Sequence, residues 1–264
     1  MFGKLLKYDF RSMWKQFAFI WPAALALALV NRFTISSLEG SSTVGETTAG
    51  VAMLIYVSIL IAMFIIAVIF VIQRFYKGLL GDEGYLMHTL PVRSWQLVGS
   101  KLLCAVITTA VNVVVAIFSI FLIIPWNHAD FQEIIRAFQY LFSHWDINAT
   151  YGVLGIVESI LFMLVSFATG FLQLYLAMSV GHLFNKNRVA MSVIAFIAVN
   201  TVVGILLNTA SPAMEHVFSA ITAGTAGMSL YLRSICIAIV GELILSAIYF
   251  VGTEYILRNK LNLE

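Results

Sequence analysis

The sequence predicts an all-α integral membrane protein with six transmembrane helices, an amphipathic interfacial helix at its amino end, and both termini in the cytoplasm. The composition, the lengths of the apolar runs and the distribution of the basic residues lead to this fold class. Of the 264 residues, 61% are hydrophobic and 11% are charged, and the mean hydropathy is +0.96. Soluble domains contain about 25% charged residues. This composition therefore excludes a soluble domain, and we expect no nucleic-acid partner.

Residues 1–16 are predicted to form the interfacial helix. Apolar side chains recur at helical spacing along one side of this stretch, and basic residues occupy the other side: Lys4, Lys7, Arg11 and Lys15. Such a helix lies flat on an anionic leaflet. A basic flank that only orients the first span would have the same pattern, and the two interpretations are compatible.

The six apolar runs are each long enough to cross about 30 Å of hydrocarbon. They cover residues 17–38, 49–73, 98–125, 151–182, 188–209 and 232–257. The fourth run is longer than one crossing needs, so we expect it to tilt or to protrude. The chain, 1–264, is thus predicted to be a single transmembrane domain.

The basic residues set the orientation of these spans. Only three of the fifteen lysines and arginines fall on or near one side of the six-span arrangement: Arg32, Arg136 and Arg233. The other twelve fall on the opposite side. Because basic residues concentrate in cytoplasmic loops, this asymmetry predicts that both termini are cytoplasmic.

A short cytoplasmic helix is predicted at 82–90, between the second and third spans. Asp82 can cap its start, Glu83 is favourable in its first turn, and Pro91 disfavours a helical conformation at the preceding residue. The next cytoplasmic loop, 181–189, is tight. It therefore makes the fourth and fifth spans antiparallel neighbours.

Two outer segments are also predicted to be helical. Residues 129–143 have apolar side chains at helical spacing between two tryptophans, Trp126 and Trp145, which are typical interface anchors. Residues 212–222, which Pro212 opens, are too weakly apolar to span a membrane and too apolar for a free loop. A re-entrant or outer helix is the predicted conformation there.

Two acidic residues lie inside apolar runs, Glu158 in the fourth and Glu242 in the sixth. An ionised carboxylate in hydrocarbon costs at least about 2.5 kcal/mol, so each should face protein or water, or be protonated. One interpretation is a substrate path or a proton-coupling residue. The other is a hydrogen bond across a helix or dimer interface, and the sequence leaves both open. Asn112, Asn200 and Asn208 are interpreted as interhelical hydrogen-bonding residues.

No catalytic motif is present in the chain. The sequence has no GxxxxGK[ST], so it cannot hydrolyse ATP by the P-loop mechanism. HExxH and GxSxG are also absent, and the five histidines are scattered over both sides of the predicted membrane. We therefore expect no enzyme activity, no metal site and no cofactor in this chain itself.

Two cytoplasmic stretches resemble those of a known family. The sequence GDEGYLMHTLPVRSWQLVGSKLL at 81–103 resembles the D-x-G-x-L…LP-(V/I)…K pattern at the coupling helix of ABC-2 type exporters. HLFNKNRVAMS at 182–192 resembles their second cytoplasmic loop. With the predicted topology, the chain resembles the permease subunits of bacterial ATP-binding-cassette exporters of this type. The outer segment 126–150 is a departure, because it is often short in the family.

The resemblance implies a half-transporter in the cell membrane, that is, the bacterial cytoplasmic membrane. Such permeases pair as homodimers or heterodimers, and each docks a separate nucleotide-binding ATPase subunit that holds ATP and Mg. The resemblance assigns ATPase coupling to ten residues: Asp82, Glu83, Gly84, Tyr85, Leu86, Met87, His88, Thr89, Leu90 and Pro91. It assigns a secondary cytoplasmic contact to four more: Asn185, Lys186, Asn187 and Arg188.

An exporter of this kind is expected to move an amphipathic substrate, such as a peptide antibiotic, a lipid-like molecule or a drug, because the sequence offers no charged pore. Two other functions fit the same residues. The chain could be a membrane sensor or scaffold that transports nothing. It could also be a secondary transporter that couples to protons through Glu158 or Glu242.

Overall fold

The computed structural model describes residues 2–38, 43–81, 93–123, 147–184, 187–224 and 227–260, with five isolated residues between 132 and 139. The predicted cytoplasmic helix 82–90 lies outside the described residues. So does most of the predicted outer helix 129–143.

Six long α-helices and one short π-helical turn make up the described chain. They are α1 (Phe2–Leu38), α2 (Thr43–Phe75), the π-helical turn (Tyr76–Leu80), α3 (Ser94–Ile123), α4 (Ile147–Gly181), α5 (Arg188–Thr222) and α6 (Met228–Asn259). Five of these helices, α2 to α6, are long and apolar enough to cross a membrane, and α1 would be a sixth if its two parts count as one span. The chain is therefore a helical, multi-pass membrane protein.

Helix α1 bends where the sequence divides into an amphipathic and an apolar part. Its segments Gly3–Lys15 and Phe17–Phe33 meet at 42°. Pro22 lies inside the helix, one to two turns after the bend. Proline has no backbone N–H and its ring clashes with the carbonyl four residues earlier, so it favours a bend in this part of the helix.

Helix α5 runs without interruption through Pro212. The sequence predicts a span, 188–209, and a separate helix, 212–222, whereas the structure joins them into one helix of 35 residues, about 52 Å long. Pro212 cannot donate to the carbonyl of Asn208, but the Ser211 hydroxyl donates to that oxygen at 2.8 Å. The local side chain thus replaces the missing backbone bond, and the helix continues.

One end of the bundle, here called the basic end, collects the start of α1, the end of α2 and the start of α3. Asp9 of α1 contacts Arg74 of α2 and Ser100 of α3. The end of α4 joins them, because the rings of Phe75 and Tyr175 stack with centroids 3.9 Å apart. Helix α4 also packs closely against the start of α5 and the end of α6, so these two helices belong to the basic end as well.

The hydrophobic core also lies toward the basic end. Its fully buried large side chains include Phe17, Phe75, Leu79, Leu172 and Tyr175. Toward the opposite end, α4, α5 and α6 leave many large apolar side chains exposed. The helices are thus tightly packed at one end and open to lipid or to other protein at the other.

Gly181 and Gly170 provide a matched test of the α4–α5 packing. A Cβ at Gly181 would lie 2.5 Å from the backbone nitrogen of Ser192 and 2.6 Å from its Cα, whereas a Cβ at Gly170 meets nothing within 4 Å. Gly181→Ala should therefore destabilise the protein by about 1–3 kcal/mol. Gly170→Ala should leave it unchanged or stabilise it by up to about 1 kcal/mol. Thermal unfolding in detergent measures both, and equal melting temperatures would contradict the packing.

Candidate functional site

The structure describes the helix ends that flank the predicted coupling residues, but not those residues themselves. Asp82 to Pro91 lie outside the described residues, as do Asn185 and Lys186. On one side of the gap the π-helical turn ends at Leu80, and on the other side α3 begins at Ser94. At the second loop, Asn187 has the left-handed φ of 55° that asparagine tolerates, and Arg188 begins α5.

An ion cluster joins the two flanking helices. The Asp9 carboxylate accepts from the Arg74 guanidinium at 2.7 and 3.1 Å through the same oxygen. Its second oxygen accepts from the Ser100 hydroxyl at 3.2 Å. The Lys101 ammonium lies 3.5 Å from the carboxylate. A single carboxylate on α1 therefore holds the end of α2 and the start of α3 together.

The cluster is buried and carries more positive than negative charge. Asp9 is 1% exposed and Lys101 is 4% exposed, while the Arg74 side chain keeps 19% exposure. Within the described residues the Lys101 nitrogen has an ion pair but no hydrogen bond. Removing Asp9 would thus leave a buried, uncompensated ammonium, a change that costs several kcal/mol in other proteins.

The π-helical turn makes room for Lys101. A Cβ at Gly78 would lie 2.6 Å from the Lys101 nitrogen. Both Gly78 and the two leucines that follow it are buried, and the turn closes with a 2.8 Å bond from the Gly81 amide to the Tyr76 carbonyl. Single π-helical turns of this kind recur at functional sites. Here the turn seats the Lys101 ammonium beside the end of α2, directly before residues 82–91.

The distribution of basic residues places Arg74 and Lys101 among the twelve on the predicted cytoplasmic side, but it does not pair them with Asp9. A signal was present: Asp9 is spaced four residues from both Leu5 and Met13, which places an acid on the apolar side of α1. A charge on that side must be paired when the helix packs.

The intramembrane carboxylates occupy different surroundings. Glu158 of α4 is half-buried; one of its oxygens accepts from the Cys236 thiol of α6 at 3.5 Å, and the other oxygen is buried without a hydrogen bond in the described part of the chain. Glu242 of α6 is half-buried, and its backbone carbonyl accepts from Thr169 at 3.3 Å. The two acids thus lie on α4 and α6, which pack against each other.

A polar face runs along the part of α5 that lies away from the basic end. Seven polar or small residues fall within about 100° of arc on this helix: Asn200, Thr201, Gly204, Asn208, Ser211, Glu215 and Ser219. All are exposed except Ser211, which is half-buried. The buried residues of α5 in the described chain, Ala195 and Thr222, lie away from this face or at the helix end. The polar face is therefore turned away from the bundle.

Local hydrogen bonds satisfy only part of this face. The Asn200 amide donates to Phe196 at 2.9 Å and the Thr201 hydroxyl donates to Ile197 at 2.8 Å. Such bonds to the preceding turn let serine, threonine and asparagine face an apolar medium. Within the described residues, however, the Asn208 side chain makes no hydrogen bond, and an amide in hydrocarbon without a partner is costly. The face thus requires water or another protein.

Asn112 has the role that the sequence predicted for it. The Trp21 indole donates to its oxygen at 2.5 Å, which joins α1 to α3.

Farther toward the basic end, His182 lies just beyond the end of α4, and its ring is 5.0 Å from the Tyr76 ring. Burial, with the nearby Arg188 charge, lowers the pKa of His182 below its usual value. The charged form of this histidine is therefore disfavoured.

Comparison of the chain with known protein families, curated proteins and solved structures gives no match.

Replacement of Asp9 tests the ion cluster. Asp9→Asn should lower the free energy of unfolding by about 3–5 kcal/mol, because it leaves two cations without their shared carboxylate. Lys101→Met added to Asp9→Asn should recover part of this loss, since only the partly exposed Arg74 then remains charged. The measurement is thermal or denaturant unfolding in detergent.

Arg11→Gln is the control for this series, because Arg11 is an exposed residue on the same helix. It should change stability by less than about 0.5 kcal/mol. Two results would contradict the electrostatic role of the cluster. One is a loss of stability for Asp9→Asn no larger than that of the control, and the other is a double variant that is less stable than Asp9→Asn alone.

Proposed function

We propose that this protein is the membrane-spanning permease subunit of an ATP-driven exporter of the ABC-2 type. A separate nucleotide-binding subunit would supply the energy, because the chain has no P-loop sequence. The permease would act as a pair, with an identical or a different second permease. The observation that carries this proposal is the exposed polar face of α5.

The polar face supports a paired permease because lipid is a poor neighbour for it. Thr201 and Asn208 lie within about one turn of the middle of a 35-residue helix. A stretch of about 20 residues is enough to cross the hydrocarbon, so these side chains fall at membrane depth. Polar side chains at that depth almost always face protein or a water-filled cavity. A second permease, with a path between the two copies, would provide both.

The ion cluster supports a coupling role for residues 82–91. Asp9 fixes the helices on both sides of this segment, so a force on the segment would move α2 and α3 as one body. ATP-driven closure of two docked ATPase subunits would then rock the paired membrane halves. Asn185 to Arg188 would form the secondary contact at the start of α5.

The orientation belongs to the same proposal. The basic end would face the cytoplasm, since twelve of the fifteen basic residues fall on that side of a six-span arrangement. Both termini would then be cytoplasmic, and the open end of the bundle would face outward. The substrate would be amphipathic, such as a peptide antibiotic, a lipid-like molecule or a drug.

Thiol labelling tests the polar face. In a Cys236→Ser background, Asn208→Cys should react at least about tenfold faster than Val202→Cys with a membrane-impermeant thiol reagent, because the reactive thiolate forms in water. Val202 is the matched control, since it is 55% exposed and lies on another side of the same helix. Equally slow labelling at both positions would place the polar face against lipid and contradict a path there.

Purification with a partner tests the coupling. Tagged protein in mild detergent should bring down an ATPase subunit in stoichiometric amount, and Leu86→Glu with Leu90→Glu should remove it, because charge disfavours an apolar docking contact. Lys260→Glu, a charge change elsewhere at the basic end, should not. A preparation that transports a proton-coupled solute without an ATPase, and loses this activity on Glu158→Gln, would establish the secondary transporter instead. Stoichiometric partner binding without ATP-dependent transport would indicate a scaffold.

A further inference from the structure

A cleft lies at the basic end between α2, α4 and α5. Its volume is 330 Å³, within the range of about 300–1,000 Å³ that small-molecule sites occupy. Leu174, Ala177 and Met178 of α4 lie between two walls, one formed by the end of α2 with the π-helical turn and the other by the start of α5. The wall on α5 extends from Val189 to Phe196, about 10 Å along the helix axis. The cleft therefore runs along about two turns of α5.

The lining is apolar over most of its surface. The side chains with polar groups among those that form it are Gln73, Tyr76, Lys77 and Ser192. The Ser192 hydroxyl already donates to the Arg188 carbonyl at 2.9 Å. The α5 wall thus offers no free hydroxyl donor, and the cleft suits a hydrocarbon chain better than a polar ligand.

The cation at the cleft is available for an anion. Lys77 is exposed and belongs to the π-helical turn that follows the end of α2. Within the described residues it forms no ion pair, and the residues that line the cleft include no acid. An apolar cleft whose lining contains a single cation, Lys77, matches an acyl chain that carries an anionic headgroup. Basic pockets between transmembrane helices at the cytoplasmic side bind anionic lipids in this way.

We infer that this cleft holds one acyl chain of an anionic phospholipid of the leaflet at the basic end, with its phosphate at Lys77. The assignment of this leaflet to the cytoplasm rests on the proposed orientation, but the site requires neither ATP nor an ATPase partner. A bound lipid would fill the gap between α2 and α5. It would therefore contribute to the contact between the helix that precedes the coupling residues and the helix that carries the polar face.

Lipid retention tests this inference. The purified full chain, with any subunit that accompanies it, is exchanged into detergent containing equal amounts of phosphatidylglycerol and phosphatidylcholine with identical acyl chains. Native mass spectrometry then counts the retained lipids. The wild type should retain phosphatidylglycerol about fivefold over phosphatidylcholine, the ratio that one basic residue near a membrane surface supplies. Lys77→Gln should bring the ratio to about one, whereas Lys7→Gln, an exposed cation outside the cleft, should preserve it.

Variants that fill the cleft distinguish lipid binding inside it from a general attraction of anionic lipid to basic residues. Val193→Trp should abolish retention of both lipids, and Val202→Trp, with the same 55% exposure on α5 but outside the cleft, should leave retention unchanged. A photoreactive acyl chain should also label peptides that contain Leu174 or Phe196 in the wild type, so the assignment does not depend on the folding of a variant. Equal retention of both lipids by the wild type, or labelling confined to other helices, would overturn the inference. Because no step uses ATP, these outcomes are independent of the ATPase test.

Discussion

The Asp9 carboxylate is the interaction on which the basic end depends. It is almost completely buried, and it is shared by a guanidinium on α2 and an ammonium on α3. A buried pair of charges is weak evidence for extra stability, because desolvation offsets much of the attraction. Its stronger consequence is specificity: α1 has only one rotation and one height at which Asp9 meets both cations. The amphipathic part of α1 is thereby held beside the two helices that flank residues 82–91.

The distribution of burial divides the bundle into two different halves. Large side chains interlock at the basic end, where Phe75 stacks on Tyr175 and Gly181 admits the backbone of α5. Toward the other end the helices expose apolar side chains and the polar face of α5. Apolar exposure alone is satisfied by lipid, but Asn208 is not. The polar face therefore distinguishes a surface that needs a protein or water from one that needs only a membrane.

The sequence predicted the class of fold because long apolar runs and basic flanks are local features. It placed the α4–α5 turn for the same reason. The interhelical hydrogen bonds predicted for three asparagines rested on residue type alone, and in the described chain Asn112 makes one, with Trp21, whereas Asn200 bonds within its own helix. It could not place the Asp9 cluster, because pairing Asp9 with Arg74 and Lys101 requires contacts 65 and 92 residues apart. It also divided α5 at Pro212, where a bond from Ser211 to the Asn208 carbonyl lets the helix continue. Long-range pairing and local compensation are invisible to hydropathy.

The basic end is tightly packed, whereas most of α5 packs against little else. Together these two features determine how a force on the bundle would move α5. A force applied between α2 and α3 would not dissipate in the packed basic end, because cores are closely packed and transmit strain. It would reach α5 through the end of α4, where Gly181 meets the start of α5 and the next residue, His182, lies against Tyr76 of the π-helical turn. The polar face of α5 lies outside that core, so it is the surface that a movement of the bundle would displace most. In the proposed exporter, a helix that is held at the basic end and unpacked along the rest of its length would be suited to open and close a path against a second subunit.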